Sequence, residues 1–153
     1  MSEDEEIPGL KPIMGFKGEY RWLSNFWPAP VSYEGIDFTS TEHAYQAAKT
    51  LDLEERKRIA TLTAGEAKKA GKKLVVRSDW NEVKLSVMEN LLRQKFAIPE
   101  LRQKLLDTGE AEIVEQNTWH DVFWGVCGGI GENHLGKLLM KIRSEIRSSG
   151  EKS

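Results

Sequence analysis

Glu42, Tyr45, Gln46 and Lys49 stand at i, i+3, i+4 and i+7 in the segment FTSTEHAYQAAK, the spacing that lines one stripe of an α-helix. A carboxyl, a phenol, an amide and an amine on one stripe can hold a polar ligand and move protons around it. Glu42 and Lys49 are two turns apart, about 10.5 Å along the axis at 1.5 Å per residue. That separation is wide for a direct ion pair and suits opposite ends of one reacting group. A plainer reading competes with this one. Thr39 followed by Glu42 has the pattern of a capping box, which would make Glu42 a helix cap and the stripe an ordinary solvated face.

A second group of residues suits a planar ligand. The segment RWLSNFWP crowds Trp22, Phe26 and Trp27 around Ser24 and Asn25. An aromatic wall beside small hydrogen-bonding groups fits a base and its sugar, and core packing beside a hairpin explains the aromatics equally well. The same two readings apply to Trp119, His120, Asp121 and Trp124. Asp121 is the less ordinary residue there, because a carboxylate buried among bulky apolar groups needs partners.

Several reaction classes are poorly supported. In GVCGGIGENHLGKLL, Gly131, Gly136 and Lys137 have Walker A spacing, but Leu138 replaces the hydroxyl residue that would hold Mg²⁺. A glycine turn at a helix N-terminus, with Asn133 as N-cap, would still favour an anion; tight packing of the turn accounts for the glycines as well. His43, His120 and His134 share no metal-ligand spacing, and no G-x-G-x-x-G or G-x-S-x-G is present. Cys127 paired with a histidine would make a thiol nucleophile, although isolated cysteines are usually inert. The chemistry is therefore expected from side chains alone, with no metal and no cofactor.

The elements that must position these residues are mostly helices. Ala44, Ala47, Ala48 and Leu51 give the first helix a narrow apolar face opposite the polar stripe. Thr63 with Glu66 opens a short helix ending near Gly71, and Asp79 with Glu82 opens a longer one. In that helix Val83, Val87, Met88, Leu91 and Leu92 form the buried stripe, and Pro99 limits it. Another short helix follows Pro99 and stops at Gly109. Leu135, Leu138, Leu139, Ile142 and Ile146 keep a helical period in the last one. WPAPVSYEGIDF reads as an extended segment followed by a hairpin. Ile113, Val114, Val122, Phe123 and Val126 suggest one or two short strands. The expected fold is mainly α: one compact helical domain over residues 10–149, with minor β structure near the N-terminus and around residues 111–126. Residues 1–9 read as a flexible acidic tail and residues 150–153 as a second tail.

The chain of 153 residues carries 22 Lys and Arg against 24 Asp and Glu, a formal net charge of −2. That balance argues against a broad basic surface for duplex DNA and leaves a local nucleotide site open. No apolar run approaches the roughly 20 residues needed to cross a bilayer. A single cysteine excludes an intrachain disulfide, and MSEDEEIPGLK lacks the basic-then-apolar order of a secretory signal. Both features point to the cytoplasm.

Taken in order, LSNF at 23–26, FTSTEHAYQAAK at 38–49, RSDWNEVKLSVMENLLRQKF, the stretch from Asp121 to Gly125, and GENHLGKLLMKIR at 131–143 resemble the NADAR, or YbiA-like, family of N-glycosidases. The resemblance runs from about Phe16 to Arg147. It implies a compact, mainly helical domain that cleaves N-glycosidic bonds to ribose. Two substrate types are associated with the family: ADP-ribose attached to guanine, taken first here, and the ribosylamino-pyrimidine intermediates of riboflavin synthesis. Residue by residue, the resemblance makes Glu42 and Lys49 the catalytic pair. It makes Ser24, Asn25, Phe26, Tyr45, Gln46, Trp80, Asp121 and Trp124 the substrate-binding set.

Breaking a C1′–N bond builds positive charge on the ribose and negative charge on the departing base. Glu42 would shuttle protons, and Lys49 would act either as a charge donor or as a nucleophile forming an imine. The alternative is a non-catalytic module that binds ADP-ribose, which would not require both Glu42 and Lys49. ADP-ribosylated DNA as a partner calls for a basic rim. Lys68, Lys69, Lys72, Lys73 and Arg77 could supply one, or form the wet side of a short helix.

Overall fold

The computed structural model describes residues 11–151; the tail expected at residues 1–9 lies outside them. The elements are β1 (Ile13–Met14), β2 (Pro28–Tyr33), β3 (Ile36–Ser40), α1 (Thr41–Ala48), α2 (Leu53–Ala60), α3 (Ala64–Gly71), α4 (Trp80–Lys95), α5 (Pro99–Asp107), β4 (Ile113–Val114) and α6 (His134–Glu151), with a 3₁₀ segment at Gly18–Leu23. The fold is mainly α with a few short strands. Two compact units divide the chain: Leu23–Lys95, and the segments up to Trp22 and from Phe96 onward.

In the unit Leu23–Lys95, β2 and β3 form an antiparallel hairpin with Tyr33 paired to Ile36. Glu34 and Gly35 both have positive φ, 44° and 85°, as a two-residue turn matched to strand twist requires. Alternation along the strands turns Ala29, Val31, Phe38 and Ser40 inward. The hairpin and α2, α3 and α4 all pack on α1, so α1 is buried along its whole length. Leu51, expected on its apolar face, lies beyond the helix and is 66% exposed.

The other helices of this unit end on local signals. The Thr63–Glu66 capping box forms in both directions, Thr63 N to Glu66 Oε1 at 2.9 Å and Glu66 N to Thr63 Oγ1 at 3.2 Å. Asp52 caps α2 through Glu54 N and Glu55 N. Within α2, Arg56 is buried and tied to Thr50 O at 2.8 Å and Glu34 at 2.7 Å. Ahead of α4, the Asp79 carboxylate accepts Arg77 Nε at 2.6 Å and Nη2 at 3.0 Å. The buried side of α4 carries Val87, Met88, Leu91, Leu92 and, unexpectedly for a lysine, Lys95.

In the other unit, β1 and β4 pair in parallel, Ile13 with Ile113 and Met14 with Val114. The strands expected at Val122, Phe123 and Val126 reduce to isolated bridges, Gln116 with Val126 and Cys127 with Ile130. Leu135, Leu139 and Ile142 of α6 face the core, and α6 continues to Glu151. Its Arg143 and Arg147 bind Thr108 Oγ1 at 2.9 Å and Gly109 O at 2.6 Å, closing the end of α5. No helix among the described residues is long and apolar enough to cross a membrane.

Candidate active site

Three residues fix the start of α1. Ser40 is the N-cap, its Oγ accepting His43 N at 3.2 Å. The His43 ring contacts Ser40 Oγ through Nδ1 at 2.6 Å and Leu62 O through Nε2 at 2.6 Å. A carbonyl only accepts, so Nε2 carries hydrogen and the ring serves the fold. Thr39, expected as the cap, is the exposed penultimate residue of β3, because the hairpin register extends to Ser40. This correction bears on the chemistry: the Glu42 carboxyl is not part of a capping box. Nor is its stripe solvated, since Glu42 is 7% exposed and Tyr45 and Gln46 are buried.

Within that enclosure Gln46 Nε2 donates to Glu42 Oε1 at 3.1 Å. Burial pushes the Glu42 carboxyl above the ordinary carboxylate range; the Gln46 hydrogen bond and the charges of Lys68, Lys49 and His43 pull it back less strongly. Lys49, one turn below Tyr45, closes α1 as its C-cap. Its Nζ lies 5.4 Å from the centre of the Tyr45 ring, and that ring packs on Trp80 at 5.2 Å. Burial lowers the Lys49 pKa. Glu42 opposes this, and Lys68, Lys72 and Lys84 add to it by repulsion. A carboxyl that holds its proton more tightly than an exposed one, in the field of an amine that gives its own up more readily, can donate a proton and offer a lone pair.

Ser24, Asn25 and Phe26 form a tight turn beside this helix. Ser24 O accepts Trp27 N at 3.0 Å, Ser24 Oγ accepts Phe26 N at 3.1 Å, and Asn25 O accepts Glu42 N at 3.0 Å. Phe26 is 41% exposed, with Lys68 Nζ 5.8 Å from its ring centre. Eight of the ten expected site residues thus belong to one unit. Six of them are linked: Glu42 N donates to Asn25 O, Gln46 Nε2 to Glu42 Oε1 and Lys49 N to Gln46 O at 3.2 Å, while the Tyr45 ring meets Lys49 Nζ and Trp80. The aromatic wall is smaller than expected, because Trp22 belongs to the other unit and packs edge-on there against Phe96 of that same unit, 6.2 Å between centres.

Two residues near the site went unrecognised in the sequence. Lys68 is expected on a basic rim or on the wet side of a short helix, yet its charge acts on both Glu42 and Lys49. The other is Lys95, whose amine donates to Ser24 O at 2.8 Å. The periodicity of α4 would have flagged it, since Lys95 continues the 88–91–92 stripe.

Asp121 and Trp124 lie in the other unit. Asp121 Oδ1 accepts Phe123 N at 3.1 Å and Trp124 N at 2.9 Å, so one carboxylate oxygen organises a turn. Trp124 packs near His134 at 6.5 Å. Asn133 is not a side-chain cap for α6. Its Oδ1 accepts Glu115 N at 2.9 Å and its Nδ2 donates to Ile113 O at 2.9 Å, stitching the turn onto β4. Gly136 follows the same logic, since a Cβ there would lie 2.1 Å from Ile113 O. Close packing therefore accounts for Gly136 and for Gly131, whose Cβ would lie 2.2 Å from Gly125 O, whereas Gly128 and Gly129 are turn residues with positive φ, 61° and 80°. Cys127 Sγ is 3.9 Å from His120 Nδ1.

Comparison with known proteins identifies the family. Residues 15–147 match the NADAR domain. The chain is 37% identical over 133 residues to N-glycosidase YbiA of Escherichia coli (strain K12), covering 84% of this chain and 82% of that one. It is 35% identical over 133 residues to riboflavin biosynthesis protein VVA0006 of Vibrio vulnificus (strain YJ016), covering 82% of this chain and 35% of that larger protein. The NMR structure of the E. coli protein YbiA superposes with a TM-score of 0.82 at 34% identity, covering 94% of this chain and 90% of that one.

Proposed function

The chain belongs to the NADAR domain family and is a hydrolase of N-glycosyl bonds, and we propose that its substrate is ADP-ribose joined to guanine in nucleic acid. The observation that carries the reading is the Glu42 carboxyl, buried on α1, bonded by Gln46 and set in the field of Lys49 and Lys68. A neutral carboxyl held there can protonate the departing base nitrogen, so that the electron pair of the C1′–N bond leaves with the base. Water then adds to C1′, and its proton returns to the Glu42 carboxylate.

Lys49 has two roles open to it. As an ammonium it stabilises negative charge on the departing base or on a phosphate. As a neutral amine it displaces the base at C1′, the base leaving with the C1′–N electron pair and the Glu42 proton. The new C1′–N bond becomes an imine as the C1′–O4′ bond breaks, one amine proton passing to the Glu42 carboxylate and the other to O4′. Water then hydrolyses the C1′=N bond to regenerate the amine. Its lowered pKa supports the second role. We assign Tyr45 and Trp80 to the wall behind the sugar and the half-exposed Phe26 ring to stacking on the base. Ser24, Asn25 and Gln46 supply hydrogen bonds. For Asp121 and Trp124 a part in binding rests on the family resemblance alone. The lysines around Glu42 and Lys49 favour a polyanionic substrate such as a pyrophosphate. We place the reaction in the cytoplasm, in keeping with a chain whose one cysteine needs no oxidising compartment.

One relative's name favours a second substrate. A protein called a riboflavin biosynthesis protein matches over 82% of this chain, in keeping with a ribosylamino-pyrimidine as the bond cleaved. A non-catalytic ADP-ribose-binding module finds no such support, since the matching E. coli relative is named an N-glycosidase. The two substrates separate in one assay: kcat/KM for a guanine-ADP-ribosylated oligonucleotide against kcat/KM for a ribosylamino-pyrimidine phosphate. The first is expected to be the larger. The reverse order would transfer the assignment to the pyrimidine.

A further inference from the structure

Lys95 is 0% exposed, a costly place for an amine. Burial alone brings its pKa down to about 7, and a methionine would fill the same volume without the desolvation penalty. The amine holds a peptide group of the neighbouring turn. Lys95 Nζ donates to Ser24 O at 2.8 Å, the same carbonyl that accepts Trp27 N and closes the turn. Immediately after it, Asn25 O accepts Glu42 N at 3.0 Å, and Asn25 Nδ2 faces Met88 Sδ at 3.7 Å. The other end of that amide differs: Asn25 Oδ1 is buried and meets no donor among the described residues. A buried acceptor without a partner is rare enough to call for an explanation, and a ligand donor supplies one.

We infer that Lys95 is a positioning residue, holding the Ser24–Trp27 turn so that Asn25 presents Oδ1 to an N–H or O–H donor of the substrate. The inference rests on the N-glycosidase reading for its kinetic consequence, though not for the hold on the turn. The donor belongs to the class of ribose hydroxyls or base amines, both of which an N-ribosyl substrate carries. Because Glu42 is fixed by its own helix, loss of the Lys95 contact should weaken binding more than chemistry.

The test is Lys95→Met, which keeps the stem and removes the donor. Hydrogen exchange at the Trp27 amide should quicken about tenfold, while the global unfolding transition stays cooperative. KM should rise about tenfold with kcat within roughly threefold of wild type. In the double variant with Asn25→Ala the two effects on KM should fail to add. Unchanged Trp27 exchange, a fall in kcat alone, or additive effects on KM would each overturn the assignment. Should Lys95→Met not fold, ¹⁵N NMR of the wild-type Lys95 amine decides: slow exchange with water supports the hold, and free exchange defeats it. A wild-type protein that turns over neither substrate refutes the glycosidase reading, and Trp27 exchange then still decides whether Lys95 holds the turn.

Discussion

Gln46 donates its amide Nε2 to Glu42 Oε1 at 3.1 Å across one turn of α1. Both residues are buried, so the bond fixes which way the carboxyl points. Gln46 is itself confined from the far side by α3, where Gly71 leaves no room for a side chain. The orientation of one carboxyl therefore depends on a glycine in another helix. Replacement at Gly71, at the edge of the site, tests this dependence.

A Cβ at Gly71 would fall 1.8 Å from Gln46 Oε1 and 2.6 Å from its Cδ. Gly71→Ala should push the amide away from Glu42, lowering kcat/KM roughly 10- to 100-fold and costing about 1–3 kcal/mol of stability. Gly65 in the same helix has open space around it. Gly65→Ala should leave activity intact and stability unchanged or slightly raised. Steady-state kinetics and urea unfolding of the two variants check the contrast.

Glu42 should be a stability liability. Burial raises its pKa above the unfolded value, so between those two values the folded state holds a proton that the unfolded chain has released. Stability contributed by this group is therefore lost as pH rises through that window. Glu42→Gln keeps the Gln46 contact and removes the ionisation. The variant should melt above wild type near neutral pH, with the gap closing well into the acid range. Thermal unfolding across pH checks it, and a variant less stable at neutral pH would contradict it.

Lys49 separates its two roles by trapping. If the amine forms an imine, borohydride during turnover should reduce C1′=N to a stable secondary amine on Lys49, visible by mass spectrometry. Lys49→Arg, which keeps the charge but has no such nucleophile, should then lose activity by about 10² or more. Absence of an adduct together with an active Lys49→Arg would leave Lys49 as a charge donor.

Local signals are the most legible part of the sequence. Thr63 and Glu66 specify their capping box within four residues, and the spacing of Glu42, Tyr45, Gln46 and Lys49 puts them on one short helix. The cap of that helix was harder to read. Thr39 has the right pattern, but the hairpin register carries β3 through Ser40, a consequence of pairing with β2. For the same reason Asn133 looked like a cap and is instead bonded to β4. α2 offers few apolar residues, with Arg56 and Ile59 as its buried ones, so its period is faint. Lys68 is a lysine in a polar-looking helix, and only tertiary packing distinguishes it from solvated neighbours, whereas Lys95 continues the apolar stripe of α4. Leu23 and Lys95, where the two units meet along the chain, carry no proline- or glycine-rich linker signature.

The most direct test is release of ADP-ribose from a guanine-ADP-ribosylated oligonucleotide, followed by chromatography, with Glu42→Gln alongside wild type. Wild type should release ADP-ribose with turnover, and the folded Glu42→Gln variant should be slower by about 10²–10⁴. A Glu42→Gln variant that releases ADP-ribose as fast as wild type would contradict the account.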